Sequence, residues 1–358
     1  MIGRVAALAV LITAGCSAPA GNAGGANGQI TLSIMATCVM PDSLFIGYPA
    51  DACFAPTGDI LVLDQAAVEL HVFPPDGTYR ASFGGPGDGP GEMGNPMSVE
   101  TVGGLILVRD QVKLGYIVFD EDYRFMHEVN GWPRSSPSRF RFAGGDSFTA
   151  VRTGIVSLID GYAVFREAGL YRLDETGPCI VLYADTVPVD PGNTSQLTSA
   201  IEGLFAAADT SGRMFTAVSS ADSYEVITHG NVDYSISRDV EPVRKMPEEI
   251  TREEQLMNAR LEAMGAEGLA GYRADPFRAV ITGLGVSGDT LWVQTGLHDE
   301  AVFHLYSTFD GGFIGEAVFH CQGDWNFRIS EEGILAWEDD PIDGIFRIHL
   351  LATDQSLE

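Results

Sequence analysis

A chain of 358 residues with 45% hydrophobic residues has room for one large domain or two ordinary ones and enough apolar mass for a sizeable core. Its 49 acidic residues against 21 basic ones give a formal charge of −28, a field that repels nucleic acid and anionic lipid and argues against a nucleic-acid-binding role. No internal apolar run approaches the roughly 20 residues of a membrane span, so membrane contact would have to come through an anchor. The acidity suits solubility or a salty setting, with cation-capturing acidic loops as the sharper alternative.

The first residues read as a processing signal. Arg4 gives a positive n-region, Val5 to Ile12 is apolar but too short to span, and Thr13-Ala14-Gly15-Cys16 follows. This resembles the lipobox of bacterial lipoproteins, and the resemblance implies that residues 1–16 are a signal peptide and lipobox with Cys16 acylated. Thr13 departs from the Leu that lipoproteins prefer at that place, and an ordinary secretory signal cut near Ala18 to Ala20 is the alternative. Residues 17–28 are small, polar and glycine-rich, as in a flexible tether. The expected location is therefore the bacterial cell envelope (periplasm or outer membrane), with membrane contact only through the N-terminal lipid. In such an oxidising setting the remaining cysteines could pair. Cys38 and Cys53 are close enough to close one loop and form the first candidate disulfide, whereas Cys179 and Cys321 read equally as buried thiols. No CxxC pair or Cys/His spacing supports zinc.

Gln29 to Met35 (QITLSIM) alternates weakly and reads as a strand. Two copies of one pattern then follow. The first is GDILVLD (58–64), VELHVF (68–73), the turn Pro75-Asp76-Gly77 and TYRASF (78–83). The second is GLILVRD (104–110), LGYIVF (114–119), Asp120-Glu121-Asp122 and YRFMHEV (123–129). Each runs glycine, short apolar strand ending in Asp, second strand ending in Phe, acidic turn, third strand. That is one four-stranded propeller blade read from its second strand onward. The linker GGPGDGPGEMGN (84–95) has the glycine and proline density of an ordered connector. It does not read as a phosphate cradle, since no Lys-Ser/Thr or helix follows and Asp88 and Glu92 would repel the ligand.

Later repeats are more degenerate. The third offers SRFRFA (138–143), DSFTAVR (146–152), GYAVFRE (161–167), GLYRLD (169–174) and CIVLY (179–183). The fourth begins near Ile201 with IEGLFAAA and continues with GRMFTAV (212–218), SYEVIT (223–228) and VDYSISR (232–238). Residues 247–271 break the β rhythm: Thr251 and Glu254 suggest a capping box, and Ile250, Met257, Leu261 and Met264 fall at helical spacing. Such an insertion acts as a lid or packs flat on the rim. The fifth and sixth repeats resume with FRAVITGLGV (277–286), DTLWVQT (289–295), AVFHLYSTF (301–309) and FIGEAVF (313–319), then NFRIS (326–330), GILAWED (333–339) and GIFRIHLL (344–351).

The Gly-x-Ile/Leu-x-Val-x-Asp repeats resemble the NHL-type and TolB-like propellers, and GGPGDGPGE is similar to a connector of bacterial exported six-bladed propellers. The resemblance implies an all-β, six-bladed β-propeller over residues 29–351, built of four-stranded antiparallel blades. Its ring would be closed by the N-terminal strand, with one helical insertion (247–271) between blades four and five and an acidic tail at 352–358. It is almost silent on chemistry, because propellers host binding proteins, lactonases, lyases and scaffolds alike.

Enzymatic propellers of this kind hold a divalent cation in the central channel with Glu, Asn and Asp from inner strands. Here those strands offer Glu100 and Glu202, with Asn95 and Asn326 at strand starts, a sparse and unaligned set. No cofactor is expected, although a divalent cation such as calcium would fit the enzymatic alternative. No GxSxG elbow, HExxH or EF-hand loop is present, and His71, His304 and His349 sit within strands. Arg139, Arg141, Arg278 and Arg328 stand out, all in predicted innermost strands of a chain with few bases. Converging guanidiniums suit a carboxylate, sulfate or phosphate, unless each pairs with a local acid. The sequence thus favours an envelope-anchored, monomeric, non-catalytic module that binds a protein, peptide or glycan on one propeller face. The alternative is a divalent-metal-dependent hydrolase or lyase, lactonase-like, with its site in the channel.

Overall fold

The computed structural model describes residues 29–130, 138–158, 161–173, 175, 177–190, 194–230, 234–263, 272–338 and 344–353. The leader with Cys16, the tether, residues 264–271 of the expected insertion and 354–358 of the expected tail lie outside the described residues.

Strand β1 (Gln29–Thr37) precedes four antiparallel sheets laid down in chain order. The first holds β2 (Pro49–Phe54), β3 (Ile60–Asp64), β4 (Glu69–Phe73) and β5 (Ala81–Gly84). The second holds β6 (Pro96–Val102), β7 (Leu105–Asp110), β8 (Gly115–Phe119) and β9 (Phe125–Val129). The third holds β10 (Ser138–Phe142), β11 (Ser147–Leu158), β12 (Gly161–Arg172) and β13 (Ile180–Val189). Helix α1 (Thr194–Glu202) leads into the fourth, with β14 (Leu204–Ala208), β15 (Met214–Ser219), β16 (Ser223–His229) and β17 (Ser235–Asp239). After helix α2 (Pro247–Ala263) come β18 (Ile281–Ser287), β19 (Thr290–Thr295), β20 (Ala301–Ser307), β21 (Phe313–Phe319), β22 (Trp325–Ser330), β23 (Gly333–Glu338) and β24 (Ile348–Thr353).

These last seven strands and β1 form one eight-stranded sheet, ordered β18-β19-β20-β21-β1-β24-β23-β22. The expectation of six four-stranded blades is therefore corrected: the chain has four such blades and one eight-stranded sheet. The cause is that β1 uses both of its edges. Gln29 to Thr31 pair in parallel with Glu316 to Val318 of β21, and Leu32 to Thr37 pair antiparallel with Thr353 to His349 of β24, with a bulge between Ile34 and Ala36. A strand bound on both edges fuses its neighbours and leaves no open edge between them.

Three further expectations change. GYAVFRE and GLYRLD are one strand, β12, continued through an irregularity at Ala168/Gly169. A helix, α1, replaces the expected strand start at Ile201, because Leu197, Ala200 and Ile201 pack at helical spacing against Val164, Val187 and Val189. Helix α2 starts at Pro247, where a missing N–H costs nothing, and the Met246 amide donates to Glu249 Oε2 at 2.6 Å. Thr251 is thus not its cap; its hydroxyl donates to the Pro247 carbonyl at 2.9 Å.

Apolar seams join neighbouring sheets. Leu61, Leu63, Val99 and Ile117 lie in the seam between the first and second blades, and Phe215, Tyr224, Leu284 and Val293 in the seam between the fourth blade and the eight-stranded sheet. The seam between the third and fourth blades is smaller, built on Val151, Ala168, Leu204 and Ala206. The Asp that ends the second strand of the first and second blades has a definite job. Asp64 accepts the amides of Gly47 and Tyr48 from the entering chain and of Ala66 and Ala67 from the turn it starts. Asp110 does the same for Gly94, Asn95, Val112 and Lys113. One buried carboxylate satisfies four otherwise orphaned donors, which is why the motif recurs.

Strands β2, β6, β10, β14, β18 and β22 adjoin one another in that order, and β2 meets the eight-stranded sheet at β23. They form the inner ring. At Gly285 the approach is so close that a Cβ would lie 2.7 Å from Ile329 Cβ.

Candidate functional site

Arg328 on β22 is 1% exposed and crosses the ring. Its Nη2 donates to both carboxylate oxygens of Asp51 on β2, at 2.7 and 2.8 Å, and to the Val99 carbonyl at 3.1 Å. Its Nη1 donates to Glu100 Oε2 on β6 at 2.5 Å and reaches the Phe140 carbonyl of β10 at 3.5 Å. One guanidinium thus ties four inner strands together. Burial alone would pull Arg328 down, but the Asp51 and Glu100 charges outweigh it and hold the guanidinium protonated. The acids are engaged on their other sides as well. Asp51 accepts the amides of Ala52 and Val99, both at 3.0 Å, and Glu100 Oε1 accepts the Thr101 amide at 3.0 Å. Burial pushes the Glu100 carboxyl up, against the pull of Arg328 and Arg141.

Beside this node lies a cavity of about 300 Å³. Each inner strand contributes to its wall: Cys53, Glu100, Arg141, Ala207, Val286 and Arg328 come from β2, β6, β10, β14, β18 and β22 respectively. It therefore sits on the ring axis, at the strand ends where first strands turn into second ones. Gly103 and Gly104 of the β6–β7 turn, Thr210, and Glu331 with Glu332 of the β22–β23 turn complete it. Gly103 has φ 58, and a Cβ there would stand 2.7 Å from the Gly145 carbonyl oxygen, so glycine lets two turns meet at the rim.

Arg141 is the less compensated base of the cavity. Its Nη1 donates to the Phe140 carbonyl at 2.6 Å, but its buried Nε has no hydrogen-bond partner among the described residues, and neither has Nε of Arg328. Burial first, and then the neighbouring Arg328 charge, pull Arg141 down to about 10. Arg141 thus lines the wall with a guanidinium whose one partner among the described residues is a backbone carbonyl.

The other expected site residues lie elsewhere. Arg139 has φ 54, and its Nη1 donates to the carbonyls of Glu202 and Leu204 at 2.8 and 2.6 Å; its guanidinium lies 4.5 Å from the Phe205 ring centre. It clips the small third seam. Glu202 ends α1 instead of lining an inner strand. Arg278 precedes β18 and pairs with Glu249 of α2 at 2.7 Å and Asp299 at 2.5 Å. It fastens the helix at the ends of β18 and β19 remote from the cavity, so α2 is no lid over it. The candidate disulfide is not formed: Cys38 and Cys53 are buried free thiols, in seams on opposite sides of the first blade. Among the described residues, no group of three or more His, Cys, Asp or Glu side chains is placed to hold a metal.

Asp51 is the residue that sequence reasoning missed. Irregular pairing between Pro49 and Asp51, repeated at Pro96/Ser98 and Ser138/Arg141, shifts the alternation that would tell inward from outward positions.

No protein-family model and no curated protein matches the sequence. Solved structures do resemble it. A Bacteroides fragilis protein described as a candidate exported protein aligns over 90% of this chain and 98% of its own, at 12% identity and TM-score 0.51. A member of the DUF4221 family from Bacteroides vulgatus aligns over 92% and 99%, at 8% identity and TM-score 0.51. An aldose sugar dehydrogenase from Streptomyces coelicolor aligns over 90% and 98%, at 14% identity and TM-score 0.45. What the chain shares with the two Bacteroides proteins is a bacterial propeller fold. Among the described residues no helix is long and apolar enough to cross a membrane.

Proposed function

We propose that this chain is a non-catalytic binding module that takes a small group, or the end of a peptide or glycan, into the axial cavity. The observation that carries the reading is the Arg141 guanidinium, which lines the axial cavity and has only the Phe140 carbonyl as hydrogen-bond partner among the described residues. An added hydrogen bond from a charged guanidinium to an incoming oxygen acceptor is worth about 1.5–3 kcal/mol. A binding role fits better than metal-dependent hydrolysis because Asp51 and Glu100 are already committed to Arg328 and to backbone amides.

The same reading keeps the chain as an exported, lipid-anchored monomer, acylated at Cys16, with kinship to NHL-type and TolB-like propellers. Mass spectrometry of the mature N-terminus, compared with Cys16→Ser, tests the anchor. The binding site is tested by thermal shift of the full chain with short carboxylates and sugar acids, in the wild type and in Arg141→Gln. Stabilisation that rises with ligand concentration and disappears in the variant is expected. Equal stabilisation of both proteins would place the ligand elsewhere.

A further inference from the structure

The cavity has one under-used guanidinium at its floor, apolar sides and an acidic mouth. The floor holds Arg141, bonded among the described residues only to the Phe140 carbonyl, while Arg328 and both carboxylates there are spent on one another and on backbone groups. The sides carry Phe54, Phe142, Val286 and Ile329. The mouth carries Glu331 and Glu332, both exposed; Glu331 accepts the Gly288 amide through one oxygen at 3.0 Å.

Each layer excludes a class of ligand. A simple cation finds no free acceptor at the floor. A phosphate monoester must bring nearly two negative charges, where a carboxylate brings one, past two glutamates and into the field of a chain with net charge −28. A neutral sugar leaves the floor donors with weaker acceptors than a carboxylate supplies, and gains little from four apolar walls. A molecule with a carboxylate at one end, an ammonium at the other and an apolar side chain between them meets all three layers.

Resting on the cavity-binding reading above, we propose that the ligand is a zwitterion, an apolar amino acid or dipeptide, with its carboxylate against Arg141 and its ammonium at Glu331 and Glu332. A site of about 300 Å³ lies at the small end of ligand pockets and suits a molecule of that size. The guanidinium fork receives the two carboxylate oxygens, and the exposed glutamates meet the ammonium where it still touches water.

The test is calorimetric titration of the full chain with glycyl-leucine, its N-acetyl form and its C-terminal amide. The free dipeptide is expected to bind at least tenfold more tightly than either blocked form. Glu331→Gln with Glu332→Gln should abolish the preference for the free amine, and Arg141→Gln the preference for the free carboxylate. The side-chain carbonyl in Glu331→Gln keeps an acceptor for the Gly288 amide, so the turn is preserved. If the three forms bind equally and Arg141→Gln weakens them all, the cavity binds ligands but the zwitterion assignment is overturned. If none binds in an Arg141-dependent way, the zwitterion assignment falls here, while the carboxylate and sugar-acid series separately decides the cavity reading.

Discussion

Arg328 donates through one nitrogen to both carboxylate oxygens of Asp51, 277 residues away in sequence, at 2.7 and 2.8 Å. This contact joins the eight-stranded sheet to the first blade at the ring axis and adds to the seam built around Phe54, Ile60 and Trp337. Removing one partner of a buried ion pair strands the other in low dielectric, typically at a cost of about 3–5 kcal/mol. Arg328→Ala should therefore lower unfolding stability by that order in urea denaturation, with Asp51→Asn milder because the amide still accepts. A loss below about 1 kcal/mol would mean the node is not holding the ring.

The repeated Asp makes a second stability prediction. Asp64→Ala orphans four amides and should cost about 3 kcal/mol, with Asp64→Asn keeping part of the network. Hydrogen exchange at Gly47 and Ala67 is the local readout, and unchanged protection there would contradict the assigned role.

Acid sensitivity should begin well above the carboxylate range. Burial pulls His304 and His349 down to about 4, helped by Arg238 and His298 at the first and Arg347 at the second. Tyr224 and Glu316 also face His304, its Nδ1 2.8 Å from the Tyr224 hydroxyl and its Nε2 3.7 Å from Glu316. Thr37 and Trp325 face His349. The unfolded chain binds protons near pH 6.5 that the folded chain refuses until about 4. Stability is thus full above about pH 6.5 and falls as pH drops through that window, by up to about 1.4 kcal/mol per unit for each histidine. Melting temperature against pH checks this, with a shallower slope expected for His304→Gln combined with His349→Gln. A flat profile down to pH 4.5 would refute it.

Thiol chemistry separates the cysteines. Burial pushes the Cys38 thiol up to about 12 and raises that of Cys53 as well, with help from Glu100, while Cys179 is exposed. Maleimide should label Cys179 in the native chain, and Cys38 and Cys53 only in denaturant without reductant. Failure of the last two to react in denaturant until reductant is added would show a disulfide instead.

The first two blades are legible because both carry the Gly…Asp spacing that ends a strand and fixes its turn, and the later ones only through strand alternation. Other features leave no such mark. Nothing in QITLSIM announces that β1 bonds on both edges, since edge use depends on what lies beside the strand. IEGLFAAA is one apolar run, so α1 and β14 share it without a visible boundary. Of four arginines assigned to the channel, Arg141 and Arg328 are there; Arg278 lies before its strand, and Arg139 is turned away by a positive φ. Asp51 was hidden by the irregular start of β2.

If the axial cavity is a ligand site with Arg141 as its donor, a crystal structure of the full chain grown with propionate will show it. A carboxylate is expected in the cavity, with an oxygen about 3 Å from a terminal guanidinium nitrogen of Arg141. An empty cavity with Arg141 paired to a protein carboxylate would contradict it.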